Sequence, residues 1–189
     1  GPLRPLVGGV VLAAVVWFLG ADRYIGLGIP TIVEAFEKPL PAYDFAAKMV
    51  LTIASLGSGF KGGEVTPLFY IGATLGNALA PLLNLPFPLL AGIGFVAVFA
   101  GAANTPIAST LMAMEIFGAE IGVFAGISCV VSYLFSGHTG IYRSQRVGHS
   151  KHRHAPEGMK LGELPAYRKQ LLEDAKLKEI PVAKDPSHD

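Results

Sequence analysis

Apolar residues gather in seven stretches, at residues 5–21, 26–37, 42–56, 67–83, 87–103, 106–117 and 121–135. Clusters of Gly, Pro and Asn with a few charges separate them, at Asp22-Arg23, Pro39/Pro41, residues 57–66, Asn84/Pro86, Asn104-Thr105-Pro106 and residues 118–120. Each stretch predicts a helix bounded by turn-forming residues. The first is 17 residues long, the short end of what crosses a bilayer, and several others are too short to cross upright. Residues 26–37 (GLGIPTIVEAFE) are broken by Gly and Pro and predict a short or re-entrant helix. Short, punctuated apolar segments occur in transporters where half-helices meet near the membrane midplane. From residue 143 onward the chain turns polar, and residues 163–180 set Leu164, Leu171, Leu172, Leu177 and Ile180 among charges, as an amphipathic helix would. The pattern predicts an all-α polytopic membrane protein, with a membrane region over residues 1–142 and a polar tail over residues 143–189.

Composition supports this division. Of 189 residues, 51% are hydrophobic and 15% charged, against roughly 25% charged in soluble domains. The last 47 residues hold 17 of the 29 charges, and residues 65–114 hold none. A soluble domain needs a charged face on nearly every helix, so that run excludes most soluble readings. The net charge of +1 averages two unlike regions and offers no basic stripe for nucleic acid. The single cysteine, Cys129, excludes a disulfide framework and a CxxC metal knuckle. The opening Gly-Pro, without Met, reads as a cut or internal piece. Ten basic residues beyond the last apolar stretch predict a cytoplasmic tail, or one that touches lipid headgroups.

The sharpest chemistry lies at Gly62-Gly63-Glu64-Val65-Thr66-Pro67. Pro is favoured in the first turn of a helix, where its missing N–H is not needed, and Thr is a good N-cap. The spacing therefore predicts a helix starting at Pro67. Gly62 and Gly63 let bare backbone approach a ligand. A helix start offers free N–H groups and partial positive charge, an anion site that needs no buried cation. Glu64 is odd there. Either it takes part in the mechanism, as ionisable groups at membrane depth commonly do, or it is a first-turn carboxylate facing water. Asp44 and Lys48, four apart, read as an i,i+4 pair at the interface.

Residues 57–76 (GSGFKGGEVTPLFYIGATLG) resemble the second signature of the CLC family of chloride channels and anion/proton antiporters. Residues 20–30 (GADRYIGLGIP), 100–115 (AGAANTPIASTLMAME) and 137–142 (GHTGIY) look like other elements of that family in the same order. The resemblance covers residues 5–145 and implies one of two inverted repeats, the second half of a protomer. It implies that the amides of Glu64 and Val65 face the anion, and that Tyr142 contacts it from the cytoplasmic side. The usual pattern has an aromatic where Val65 stands. GGEVTP looks instead like the fluoride/proton antiporter branch, CLC-F. There Glu64 would take part in proton movement and Thr66 would place a hydroxyl near the anion path. Fluoride, small and a strong acceptor, suits hydroxyl and N–H donors.

The resemblance thus implies fluoride export coupled to protons, with chloride channel or chloride/proton exchange as the alternative. A non-conducting structural fragment is the third reading, because the family's gating glutamate and first-half selectivity loop are missing. The implied partners are fluoride or chloride, protons, membrane lipid, the N-terminal half of the same protein and a second copy in a homodimer. The implied location is a bacterial inner membrane. No cofactor and no metal is implied. His149, His152 and His154 read as a solvated basic stretch, without a carboxylate or Cys at ligand spacing. Gly118, Gly122 and Gly126 form a small-residue stripe for close packing, in a region the resemblance assigns to the dimer interface. Gly72 and Gly76 read likewise within the protomer. Glu115 reads as a buried structural carboxylate. Ser58 with His138 would suit an intramembrane hydrolase, but nothing in the sequence brings them together.

Overall fold

The computed structural model describes residues 3–138, 140–148, 151 and 155–179, and it divides into two compact units, Gly1–Ser136 and Gly137–Asp189. The described residues form helices and no strand. The first unit contains α1 (Leu3–Leu19), α2 (Ile29–Glu37), α3 (Asp44–Gly57), α4 (Val65–Leu83), α5 (Phe87–Ala103), α6 (Pro106–Phe117) and α7 (Gly122–Phe135). Two 3-10 turns, Asp22–Tyr24 and Ala119–Ile121, lie between them.

The helix ends fall at the residues that marked breaks in the sequence. Asn84 and Asn104 end α4 and α5 in the left-handed conformation, with φ of 53° and 55°, which Asn tolerates better than other side chains. Gly28, at φ 69°, leads into α2, and Pro30 sits in its first turn. Among the described residues only Val65–Leu83 is long and apolar enough to cross a bilayer, while α1, α5, α6 and Ala119–Phe135 are apolar but shorter.

The most extensive packing joins α4 to α5. A Cβ on Gly72 would strike the Gly94 carbonyl, one on Gly94 would strike Gly72, and one on Gly76 would strike the Leu90 carbonyl. Backbone thus meets backbone, the close approach that small residues permit in membrane helices. Around this seam lies a core of small side chains. Ala35, Ala73 and Ala91 join α2, α4 and α5. Val96, Ala100, Ala113, Ile121, Ala125 and Cys129 join α5, α6 and α7. Phe69 and Phe95 stack at 4.1 Å, and Phe117 meets Phe95 edge-on at 5.7 Å and Phe36 at 5.2 Å. Large apolar side chains point outward instead, among them Trp17, Phe18, Ile107, Leu111, Phe124 and Ile127.

Three sequence readings change. Asp44 and Lys48 do not pair with each other. Asp44 is wholly buried; Arg23 Nη2 lies 3.1 Å from its Oδ2, and the Tyr24 hydroxyl donates to its Oδ1 at 2.6 Å. Lys48 turns instead to the carbonyls of Tyr24 and Gly26, both at 2.8 Å. Glu115 is exposed rather than buried, because α6 turns Ala113 and Ser109 inward. The Gly118/Gly122/Gly126 stripe is split. Gly118, at φ +98°, forms the turn after α6, whereas Gly122 faces Met114 and Gly126 faces Thr110 of the same chain.

The second unit is a small fold of its own. Residues 143–147 and 158–162 run antiparallel, with the amides of Val147 and Leu161 donating to the carbonyls of Met159 and Gln145, both at 2.8 Å. Val147, Ala155 and Leu164 form a core with Met159 and Leu161 beside it. The tail helix, α8, spans Leu164–Glu179. His138 Nε2 accepts a hydrogen bond from the Lys151 amide at 3.0 Å, and Lys151 Nζ donates to the Gly137 carbonyl at 2.7 Å. Burial pushes the Lys151 ammonium down to about 8. His149, His152 and His154 lie outside the described residues.

Candidate functional site

Between α3 and α4 the chain has no regular structure from Phe60 to Gly63, and Gly59 takes φ +95°. Glu64 occupies the N-cap position, and α4 begins at Val65, two residues before the predicted start at Pro67. Thr66 is therefore inside the first turn and does not cap it. The physical reason is that Pro is tolerated throughout that turn, where an N–H has no acceptor within the helix. The first bond into the helix runs from the Leu68 amide to the Glu64 carbonyl, at 3.4 Å. No side chain caps this helix start. The Val65 and Thr66 amides thus have no partner among the described hydrogen bonds, and carry the positive end of a 19-residue helix.

Glu64 is exposed, and Val65, Thr66 and Pro67 are half-buried. A Cβ on Gly62 or Gly63 would meet nothing within 4 Å. Packing within this chain therefore does not demand glycine at either position, and both leave backbone open in front of α4. Gly62, Gly63 and Pro67 form one side of a cleft of about 420 Å³. Its other walls are Gly9, Leu12 and Val16 of α1, Tyr24 to Gly26, and Lys48 to Leu56 along one face of α3. Glu64, Val65 and Thr66 are consecutive on one helix start. Tyr142 belongs to the second unit, where it is 44% exposed and its carbonyl accepts from the Gln145 amide at 3.2 Å.

Lys48 is the feature that sequence spacing misplaced. It is 2% exposed, and its ammonium lies 5.1 Å from the centre of the Tyr70 ring as well as on two carbonyls. Among the described ion pairs, none includes Lys48. Its signal in the sequence was the presence of a lysine in an apolar helix; the loop carbonyls that hold it lie 22 and 24 positions away. The hydrolase pair has other occupations. Ser58 Oγ donates to the Ala54 carbonyl at 2.7 Å, and His138 holds the Lys151 amide.

The family model for voltage gated chloride channels matches residues 1–137. A chloride/fluoride channel protein of Pseudomonas syringae pv. tomato is 63% identical over 176 residues, covering 89% of this chain and 39% of that protein. A voltage-gated ClC-type chloride channel, ClcB, of Escherichia coli O9:H4 is 32% identical over 165 residues, covering 79% of this chain and 39% of its own length. The crystal structure of a CLC-type fluoride/proton antiporter superposes with a TM-score of 0.69 at 42% identity, over 72% of this chain and 35% of that one. The chain thus spans about 39% of the length of these curated relatives. Short helices broken at Gly, Pro and Asn, an outward apolar surface and an open glycine loop before α4 agree with that match: the chain belongs to the voltage gated chloride channel family of membrane proteins.

Proposed function

We propose that this chain forms part of a bacterial inner-membrane transporter that exports fluoride in exchange for protons. The observation that carries the proposal is the start of α4. There the Val65 and Thr66 amides are free of helix partners, two open glycines precede them, and an acid and a hydroxyl stand beside them. Fluoride gives up a tightly held hydration shell only where strong donors replace it, and N–H and O–H groups do so. An ionised Glu64 would repel an anion at that position; a protonated one would offer it a further donor. Proton uptake by Glu64 and fluoride occupancy at Val65 and Thr66 are thereby linked. Similarity to proteins named as a chloride/fluoride channel and as a fluoride/proton antiporter supports fluoride as the ion.

In this reading the rest of the path, with its gating carboxylate, comes from residues outside this chain, and Tyr142 contacts the anion from the tail side. The basic tail lies in the cytoplasm, and the working unit is a homodimer. Chloride is the second reading, favoured by the relatives named as chloride channels. The test is proteoliposome exchange with the complete protein carrying Glu64→Ala or Thr66→Ala. Thr66→Ala is expected to weaken fluoride transport about tenfold or more, the worth of a hydrogen bond to a charged group. Glu64→Ala is expected to abolish proton coupling. Unchanged fluoride/proton exchange in both variants contradicts the assignment.

A further inference from the structure

A second cavity, of about 560 Å³, opens between α1 and α3, where Val15 and Leu19 line it with Ala46, Ala47 and Val50. Leu19 is 75% and Val50 61% exposed, so this groove faces away from the core. At the end where α1 finishes and α3 begins, Arg23, Tyr24 and Tyr43 bound it. A polar pocket bounded by Asp22, Thr31 and Glu34 shares the same Arg23. The walls thus pass from aliphatic to charged at a single residue. Trp17 and Phe18 near the end of α1, and Tyr43 before α3, are exposed there, and Trp and Tyr gather at a membrane–water boundary. The charges at that end are unevenly used. The guanidinium meets Asp44 at 3.1 Å and Glu34 at 3.6 Å, both through Nη2, and the Arg23 side chain is still 35% exposed. Its Nη1 is left for an anionic oxygen. Glu34 is shared with Lys38 as well. Asp22 is exposed, and among the described ion pairs none includes it. A guanidinium amine and a carboxylate on adjacent residues therefore stand open beside an apolar slot.

The geometry points to a phospholipid site on this face, with an acyl chain in the groove between α1 and α3, the phosphate on Arg23 and an amine-bearing headgroup on Asp22. Guanidinium pairs strongly with phosphate oxygens, and basic pockets between membrane helices take lipid headgroups. An acid beside the base attracts an ammonium and offers nothing to a head that is only anionic, so the pair selects a zwitterionic lipid. The inference does not depend on which anion the protein moves. Native mass spectrometry of the complete, detergent-purified protein tests it, by titration with phosphatidylethanolamine and phosphatidylglycerol of the same acyl chains. The wild type is expected to hold phosphatidylethanolamine about fivefold more tightly, the upper size of an exposed charge pair. Asp22→Asn is expected to bring the two lipids to within about twofold of each other. Ala47→Phe, which fills the groove, is expected to weaken both about fivefold or more. Arg23→Gln would strip the buried Asp44 of its cation, so the test rests on the other two variants, and on Asp22→Asn alone if Ala47→Phe does not fold. Equal retention of both lipids by the wild type, a preference unchanged in Asp22→Asn, or binding unchanged in Ala47→Phe overturns the site. Retention of neither lipid, as when other parts of the complete protein cover the groove, overturns it equally.

Discussion

Asn77 ties α4, a helix without a charged residue, to the end of α2. Its amide donates to the Ala35 and Lys38 carbonyls at 2.7 and 2.8 Å, and its oxygen accepts from the Leu40 amide at 2.9 Å. One neutral side chain thereby closes the C-terminal end of α2 and the turn after it, using both donors and the acceptor it has. Asn77→Ala leaves three backbone groups unpaired inside the protein. It is expected to cost about 2–3 kcal/mol, read as a lowered melting temperature in detergent. An unchanged melting temperature would mean that water or detergent reaches those groups. The sequence marks Asn77 only as a polar residue in a charge-free stretch, because its partners lie 37 to 42 positions away. Asp44 and Lys48 went wrong for the same reason. Spacing placed them on one helix face, but Arg23 and two loop carbonyls, set by the fold of a neighbouring segment, outcompeted the local pair.

At the level of helices the sequence was far more readable, since Gly, Pro and Asn act through local backbone conformation. The breaks at Asn84 and Asn104 became left-handed helix ends, and the turn at Gly118 took a positive φ. Gly72 and Gly76 proved to be a packing seam, with Gly94 opposite. Gly94→Ala is expected to push α4 and α5 apart, at an overpacking cost of about 1–3 kcal/mol. Loss of thermal stability with the glycine loop unaltered in sequence is the readout, and a stability equal to wild type would refute backbone contact along this seam. Other elements were less legible. The start of α4 moved two residues upstream because Pro is permitted anywhere in a first turn. Gly122 and Gly126 faced α6 of their own chain, a distinction that a small-residue stripe cannot make. The helix expected over residues 163–180 of the tail forms as α8, Leu164–Glu179, but the small core that Val147, Ala155 and Leu164 close was not legible, because it is drawn from three separate segments.

Within the first unit, α4 and α5 carry no charged side chain and many large apolar side chains of the neighbouring helices face outward, so an ion at the proposed site meets backbone amides and hydroxyls. The absence of charge over residues 65–114, the most visible feature of the sequence, fits transport that relies on dipoles rather than on fixed pairs. The proposed anion site could be named from the sequence because it rests on a short local motif, GGEVTP. The cleft beside it could not, because it is assembled from α1, α3 and two loops. The central claim, proton-coupled fluoride movement, is open to a single measurement on the complete protein in sealed liposomes with equal fluoride on both sides. A pH gradient is imposed, and fluoride is followed with an ion-selective electrode. The expected result is net fluoride movement against its own gradient, driven by protons moving the opposite way and absent when chloride replaces fluoride. Fluoride that stays at equilibrium under the pH gradient, or chloride driven equally well, would contradict it.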